Sequence, residues 1–206
     1  VPVLVEGTMD APAVSLAGDE WAGLACCGAA ITPEQALIAR SHSQTGTVLV
    51  ALDGDLGGQA GAMRSLPVLS EAFDEVLFAR LPNKQDPAAL HAAGRGLLRD
   101  VLGSARPLAD FAIEVELAKW SNVLDHLSGQ VNAVRAIAPL VASLPTGRVA
   151  GEITRLARVV HLDEHIVSRE VLAAVGSRGP TRSRQRAVRR TGADLEINVP
   201  HSYRDL

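Results

Sequence analysis

Short apolar runs alternate with segments of helical spacing through the first half of the chain, and that order predicts an α/β fold. Pro-Val-Leu-Val-Glu at 2–6 reads as a buried strand. Gly7 then turns the chain into a helix from about Met9 to Leu16, which tolerates Pro12 in its first turn and closes at Gly18. Trp21 to Cys27 is a second apolar run ending at Gly28. Thr32-Pro33-Glu34-Gln35 supplies an N-cap, a proline at the first helical position and a capping-box glutamine, so a helix runs on to about His42. Thr47 to Leu52 is the third and most β-like strand, and it delivers the chain to Asp53. Gly57 to Ala72 is helical, with Ala60, Met63, Leu66 and Leu69 as its expected buried face. Val76 to Leu81 is a fourth strand, and the polar turn Pro82-Asn83-Lys84-Gln85-Asp86-Pro87 opens a short helix. The alternation indicates a parallel sheet flanked by helices.

Beyond about Arg106 the pattern changes: no β-like run is expected before the tail, and apolar residues recur at helical spacing. Pro107 to Trp120, Ser128 to Leu144, Gly147 to His161 and Asp163 to Val175 read as four helices, with Pro139 bending or splitting the second. The expected division is therefore an α/β domain over 1–105, an all-α helical subdomain over 106–176, and a basic linker or flexible tail over 177–206, whose Arg, Ser, Gly and Thr bury little.

Charge sharpens that division. Residues 178–206 hold seven Arg against three acids, so the remainder of a chain of net charge -3 carries -7. A mildly acidic body argues against tight binding of nucleic acid by bulk charge, and aromatics at 3% argue against base stacking as the mode of contact. Trp21 and Trp120 read as packing residues. Cys26 and Cys27 are adjacent, where a disulfide would strain the backbone, and read as reduced, buried strand residues. No spaced Cys/His set suggests structural zinc, and no leader or long apolar span suggests export or a membrane, which leaves the cytoplasm as the expected compartment. A start at Val1, already within a strand, suggests a piece of something longer.

The chemistry concentrates in two acidic turns, Val5-Glu6-Gly7-Thr8-Met9-Asp10 and Leu52-Asp53-Gly54-Asp55-Leu56-Gly57-Gly58. If both follow parallel strands, Glu6, Asp53 and Asp55 gather at the carboxyl ends of the sheet, where open α/β sheets bind ligands. Mg²⁺ takes one or two carboxylates, keeps waters and binds substrate phosphates, which is what phosphoryl transfer requires. The competing reading is that these acids are solvated turn formers.

Val-Glu-Gly-Thr-Met-Asp (5–10), Cys-Gly-Ala-Ala (27–30), Asp-Gly-Asp-Leu-Gly-Gly-Gln-Ala (53–60), Arg64 and Leu-Pro-Asn-Lys-Gln-Asp-Pro (81–87) share the order and spacing of the TOPRIM catalytic region in bacterial DnaG-type primases. The helical stretch from about Pro107 to Val175 resembles the subdomain that follows it there. The resemblance implies a parallel TOPRIM-type sheet followed by an all-α helical subdomain. It implies Glu6 in acid/base chemistry or metal binding, Asp53 and Asp55 binding Mg²⁺ or Mn²⁺, and Asp10 and Asp86 as further acidic members of the metal site. Arg64 and Lys84 are the corresponding nucleotide- or nucleic-acid-binding candidates. The implied reaction is nucleotidyl transfer, an RNA primer's 3′-hydroxyl attacking a ribonucleoside triphosphate on a single-stranded DNA template during replication. A replicative helicase is implied as a partner through regions this chain lacks. A TOPRIM-type nuclease and a non-catalytic docking module are the alternative readings.

The chain departs from the family at Thr8, where an aromatic is usual, at Gly28-Ala29 in place of Gly-Thr, and at Gln85 in place of a lysine, which removes a fixed charge beside Lys84. The family's zinc-binding, basic and helicase-binding regions are absent, so the piece alone is expected to make primers poorly or not at all. His161-Leu162-Asp163-Glu164-His165 matches an inverted zinc-peptidase pattern but has no room downstream for a third ligand, and Asp163 serves as an N-cap. Asp53-Gly54-Asp55 differs in register and position from a haloacid-dehalogenase nucleophile loop. Arg182, Arg184, Arg186, Arg189 and Arg190 read either as an electrostatic contact for nucleic acid or as a solvated linker, and both readings stay open.

Overall fold

The computed structural model describes residues 1–177, residue 95 excepted; the arginine-rich run falls outside the described residues. Four parallel strands form the sheet: β1 (Pro2–Val5), β2 (Ala22–Ala25), β3 (Thr47–Val50) and β4 (Glu75–Phe78). A two-residue strand, β5 (Arg106–Pro107), runs antiparallel along β4, and the order across the sheet is β2-β1-β3-β4-β5. β1 is therefore hydrogen-bonded to β3, with Leu4 opposite Val50. The turns after these two neighbours carry Glu6 and Asp53.

The sheet is covered on both faces, which is why β1 and β3 read as unbroken apolar runs. One face presents Val3, Val5, Leu49, Ala51 and Ala79 to α1 (Asp10–Ala17), α4 (Pro87–Ala93) and α5 (Leu97–Gly103). The other presents Leu4, Val48, Val50, Leu52 and Phe78 to α2 (Pro33–Ser41), α3 (Leu56–Ala72) and α6 (Leu108–Trp120). This second cluster continues without a break through α7 (Leu127–Val141), α8 (Thr146–Val160) and α9 (Glu164–Ser177), where Ile137, Leu156, Val160, Val167 and Val171 are buried. The capping box at α2 is formed: Thr32 accepts from Gln35 N and Gln35 reaches back to Thr32 N.

Five expectations are corrected. β5 leaves no readable apolar pattern, being two residues long with a proline, on an edge where a missing N–H is tolerated. α5 is an additional helix, signalled by Leu98 and Leu102 four residues apart, both buried. The buried face of α3 runs through Gly58, Gly61, Ala62, Ser65, Leu66 and Leu69, leaving Ala60 and Met63 half-buried. A strict spacing of three slips about 60° round a helix at each step, so Ala60 and Leu69 face opposite ways. Pro139 does not split its helix: it sits in the last turn of a continuous α7. Finally, β2 ends at Ala25: Cys26 is buried, while Cys27 is exposed at φ 56° in the turn, and both thiols are free. Burial, with Cys27 beside it, pushes the Cys26 thiol up to about 11.

Candidate metal centre

Each acidic residue reaches the carboxyl edge of the sheet by a different local device. Glu6 follows β1 directly and is half-buried. Asp53 lies three residues past β3 and is also half-buried. Asp55 is the N-cap of α3, its Oδ1 accepting from Gly58 N at 2.7 Å. Asp86 caps α4 in the same way, accepting from Ala89 N at 2.6 Å.

Asp10 differs from these because it is 5% exposed and both its oxygens accept from backbone: Oδ2 from Gly7 N at 2.9 Å and Oδ1 from Ala88 N at 3.0 Å. Through Asp10 the loop after β1 is fastened to the first turn of α4. The loops after β3 and β4 are stitched by backbone alone, Gly54 N donating to Gln85 O at 2.8 Å and Lys84 N to Gly54 O at 3.1 Å. A side chain at position 54 would run into the carbonyl of Pro82, and one at 58 into the carbonyl of Asp53. Glycine is required at both positions by close approach, and the Gly between the two aspartates is part of the stitching.

Electrostatically the centre is unbalanced. Burial, reinforced in order by Glu6, Asp10, Asp86 and Asp55, pushes the Asp53 carboxyl up to about 6. Its Oδ1 is buried with no hydrogen-bond partner. Buried polar atoms are normally satisfied, so an orphaned carboxylate oxygen among other carboxylates marks a place for a cation. Among the described residues no group of three or more His, Cys, Asp and Glu side chains is gathered tightly enough to cage a metal. The donor set nonetheless fits Mg²⁺ or Mn²⁺, which need only one or two carboxylates with water filling the other positions. Asp53 offers an unused oxygen, and Asp55 and Asp86 each keep one oxygen beyond their capping bond.

Of the basic candidates, Arg64 is exposed on α3, away from that helix's buried face. Lys84 is exposed in the turn before α4 at φ 61°. In the rejected peptidase pattern, His161 is the left-handed C-cap of α8 and Asp163 accepts from His165 N at 2.8 Å. That is ordinary helix capping.

Residues 3–91 match the Toprim-like family model. The DNA primase of Mycobacterium tuberculosis is 30% identical over 159 residues, covering 74% of this chain and 24% of the relative. That of Mycobacterium leprae is 28% identical over 200 residues, 94% of this chain and 31% of the relative. The RNA polymerase domain of M. tuberculosis primase DnaG, solved with double-stranded DNA, superposes with a TM-score of 0.59 at 29% identity, over 79% of this chain and 52% of that one. The chain belongs with the DnaG-type primases. A DNA primase domain from Pseudomonas aeruginosa shares the fold, with a TM-score of 0.66 at 24% identity over 83% of this chain and 54% of that one. This primase-type chain spans only a quarter to a third of the length of the curated relatives it matches. Among its described residues no helix is long and apolar enough to cross a membrane.

Proposed function

We propose that this chain is the metal-binding core of a primase, carrying out nucleotidyl transfer that builds RNA primers on single-stranded DNA in the cytoplasm, from ribonucleoside triphosphates and alongside a replicative helicase. The observation that carries the reading is the orphaned, charge-crowded Asp53 between Glu6, Asp55, Asp10 and Asp86 at the sheet's carboxyl edge, in a chain whose relatives are DNA primases. Mg²⁺ or Mn²⁺ bound there would polarise phosphate oxygens and stabilise the charge that develops on them.

Asp53 holds the metal with the free oxygen of Asp55 or Asp86, and Glu6 stands ready as an acid/base or additional ligand. Asp10 keeps the loop of Glu6 in register with the start of α4. Arg64 and Lys84 contribute positive charge for nucleotide or template. The nuclease and docking alternatives draw no support from the relatives above.

The test is primer extension with Mn²⁺, ribonucleotides and a primed single-stranded template. The wild-type chain is expected to extend the primer, feebly given how little of its relatives' length it spans. Asp53→Ala is expected to lower the rate by a factor on the order of 10² or more. Metal-dependent nicking of DNA without nucleotides would overturn the proposal in favour of a nuclease, and inactivity that persists when the chain is extended to its relatives' length would favour docking.

A further inference from the structure

The sheet edge that carries the acidic centre also carries a cation that no motif marks. Phe78 of β4 lies opposite Val50 of β3, and continuing that parallel register sets Arg80 beside Leu52, one residue before Asp53. The last bond of that ladder, Ala79 N donating to Val50 O at 3.0 Å, lies one residue before Arg80. Arg80 therefore leaves the sheet at the same edge as the acidic turns, on the strand next to the one that delivers Asp53.

Its side chain is exposed but seated: the guanidinium carbon lies 5.8 Å from the centroid of the Phe111 ring. Phe111, on α6, is buried and packs against Phe78 with ring centroids 4.7 Å apart. An arginine stacked on an aromatic keeps a defined plane while its edge, with five N–H donors, stays free for an anion. Among the described residues no carboxylate lies within ion-pair distance of Arg80. By contrast Arg106, Arg148 and Arg155 are paired with Glu114, Asp110 and Glu152. A cation that leaves the sheet at the edge carrying the carboxylates, yet pairs with none of them, is available to an incoming ligand. A phosphate bound to a metal at Asp53 needs such a group, because the metal takes some of its oxygens and a planar fork of donors suits the others.

We propose that Arg80, held on Phe111, binds phosphate oxygens of the nucleoside triphosphate whose metal is held at Asp53. The proposal rests on the nucleotidyl-transfer reading above and adds a residue to it.

Two binding measurements on the whole chain test it, with Mn²⁺-GTP as one probe and a single-stranded DNA oligonucleotide as the other, each alongside a thermal melt. Arg80→Ala is expected to weaken Mn²⁺-GTP by about 10- to 100-fold. It should leave the melting temperature and oligonucleotide affinity close to wild type. Arg80→Lys should recover only part of the loss, since an ammonium lacks the fork. Unchanged Mn²⁺-GTP affinity in Arg80→Ala overturns the inference, as does a wild-type chain that binds no Mn²⁺-GTP. Loss confined to the oligonucleotide also overturns it and assigns Arg80 to the nucleic-acid backbone. A wild type that binds Mn²⁺-GTP through Arg80 but extends no primer sustains the inference while removing the polymerase reading.

Discussion

Asp53→Asn is expected to abolish the thermal stabilisation that Mn²⁺ gives the wild-type chain and, in the absence of metal, to raise the melting temperature. Both outcomes come from one cause. The folded carboxyl titrates at about 6 against an ordinary value of 3.8, so its ionised form is the disfavoured one in the fold. Below about pH 4 folded and unfolded chains both keep the proton, and the carboxylate costs nothing. Between there and pH 6 the unfolded chain has released a proton that the folded chain retains, so stability falls as pH rises. Above pH 6 the full penalty is in force. An uncharged asparagine removes it, and because Asp53 is only half-buried, solvent screening trims the gain to about 1 kcal/mol. For a chain of this size that is a rise of about 2–4 °C. Thermal melts in EDTA at pH 3.5 and pH 7.5 would check it: the gain should be absent at the first and present at the second. A variant destabilised at pH 7.5 would show that Asp53 is held by favourable contacts and is not poised for a cation.

Asp10→Ala should have the opposite sign and a larger size. It leaves Gly7 N and Ala88 N without their acceptor in a part-buried place. Each unsatisfied donor costs about 1–3 kcal/mol, so a loss of about 2–4 kcal/mol, or about 5–15 °C, is expected. Asp10→Asn keeps one acceptor oxygen and should lose roughly half as much. Melts in EDTA isolate this effect from any loss of metal. If Asp10→Ala melts with the wild type under those conditions, the residue does not fasten the two loops.

Much of this centre was legible because the strands that build it are buried on both faces. Such strands appear as continuous apolar runs, and an acid at the end of a run is placed at the end of a strand. Glu6 and Asp53 are placed at the carboxyl edge by that pattern alone. The N-cap at Thr32 was legible because its capping-box partner lies three residues away, whereas Asp55 and Asp86, read only as acids of the site, turn out to be caps as well. Arg80 and the fastening role of Asp10 were not, because their partners are remote. Arg80 depends on the pairing of β4 with β3 and on Phe111, while Asp10 bonds to a residue 78 positions along the chain. The misjudged face of α3 has another origin. Gly58, Gly61 and Ser65 are buried there because backbone passes close by, and a search for large apolar side chains overlooks them.

The unbroken hydrophobic cluster from the sheet to α9 bears on what could be inherited or transplanted as a unit. Every acid of the centre lies before residue 105, so a boundary there separates the chemistry cleanly. It does not separate the interior: Val50, Leu66 and Phe78 share one cluster with Phe111, Ile137 and Leu156. A sheet domain lifted out alone would carry its acidic centre together with a bare apolar face, and any host that accepted it would have to furnish a substitute for the helices left behind.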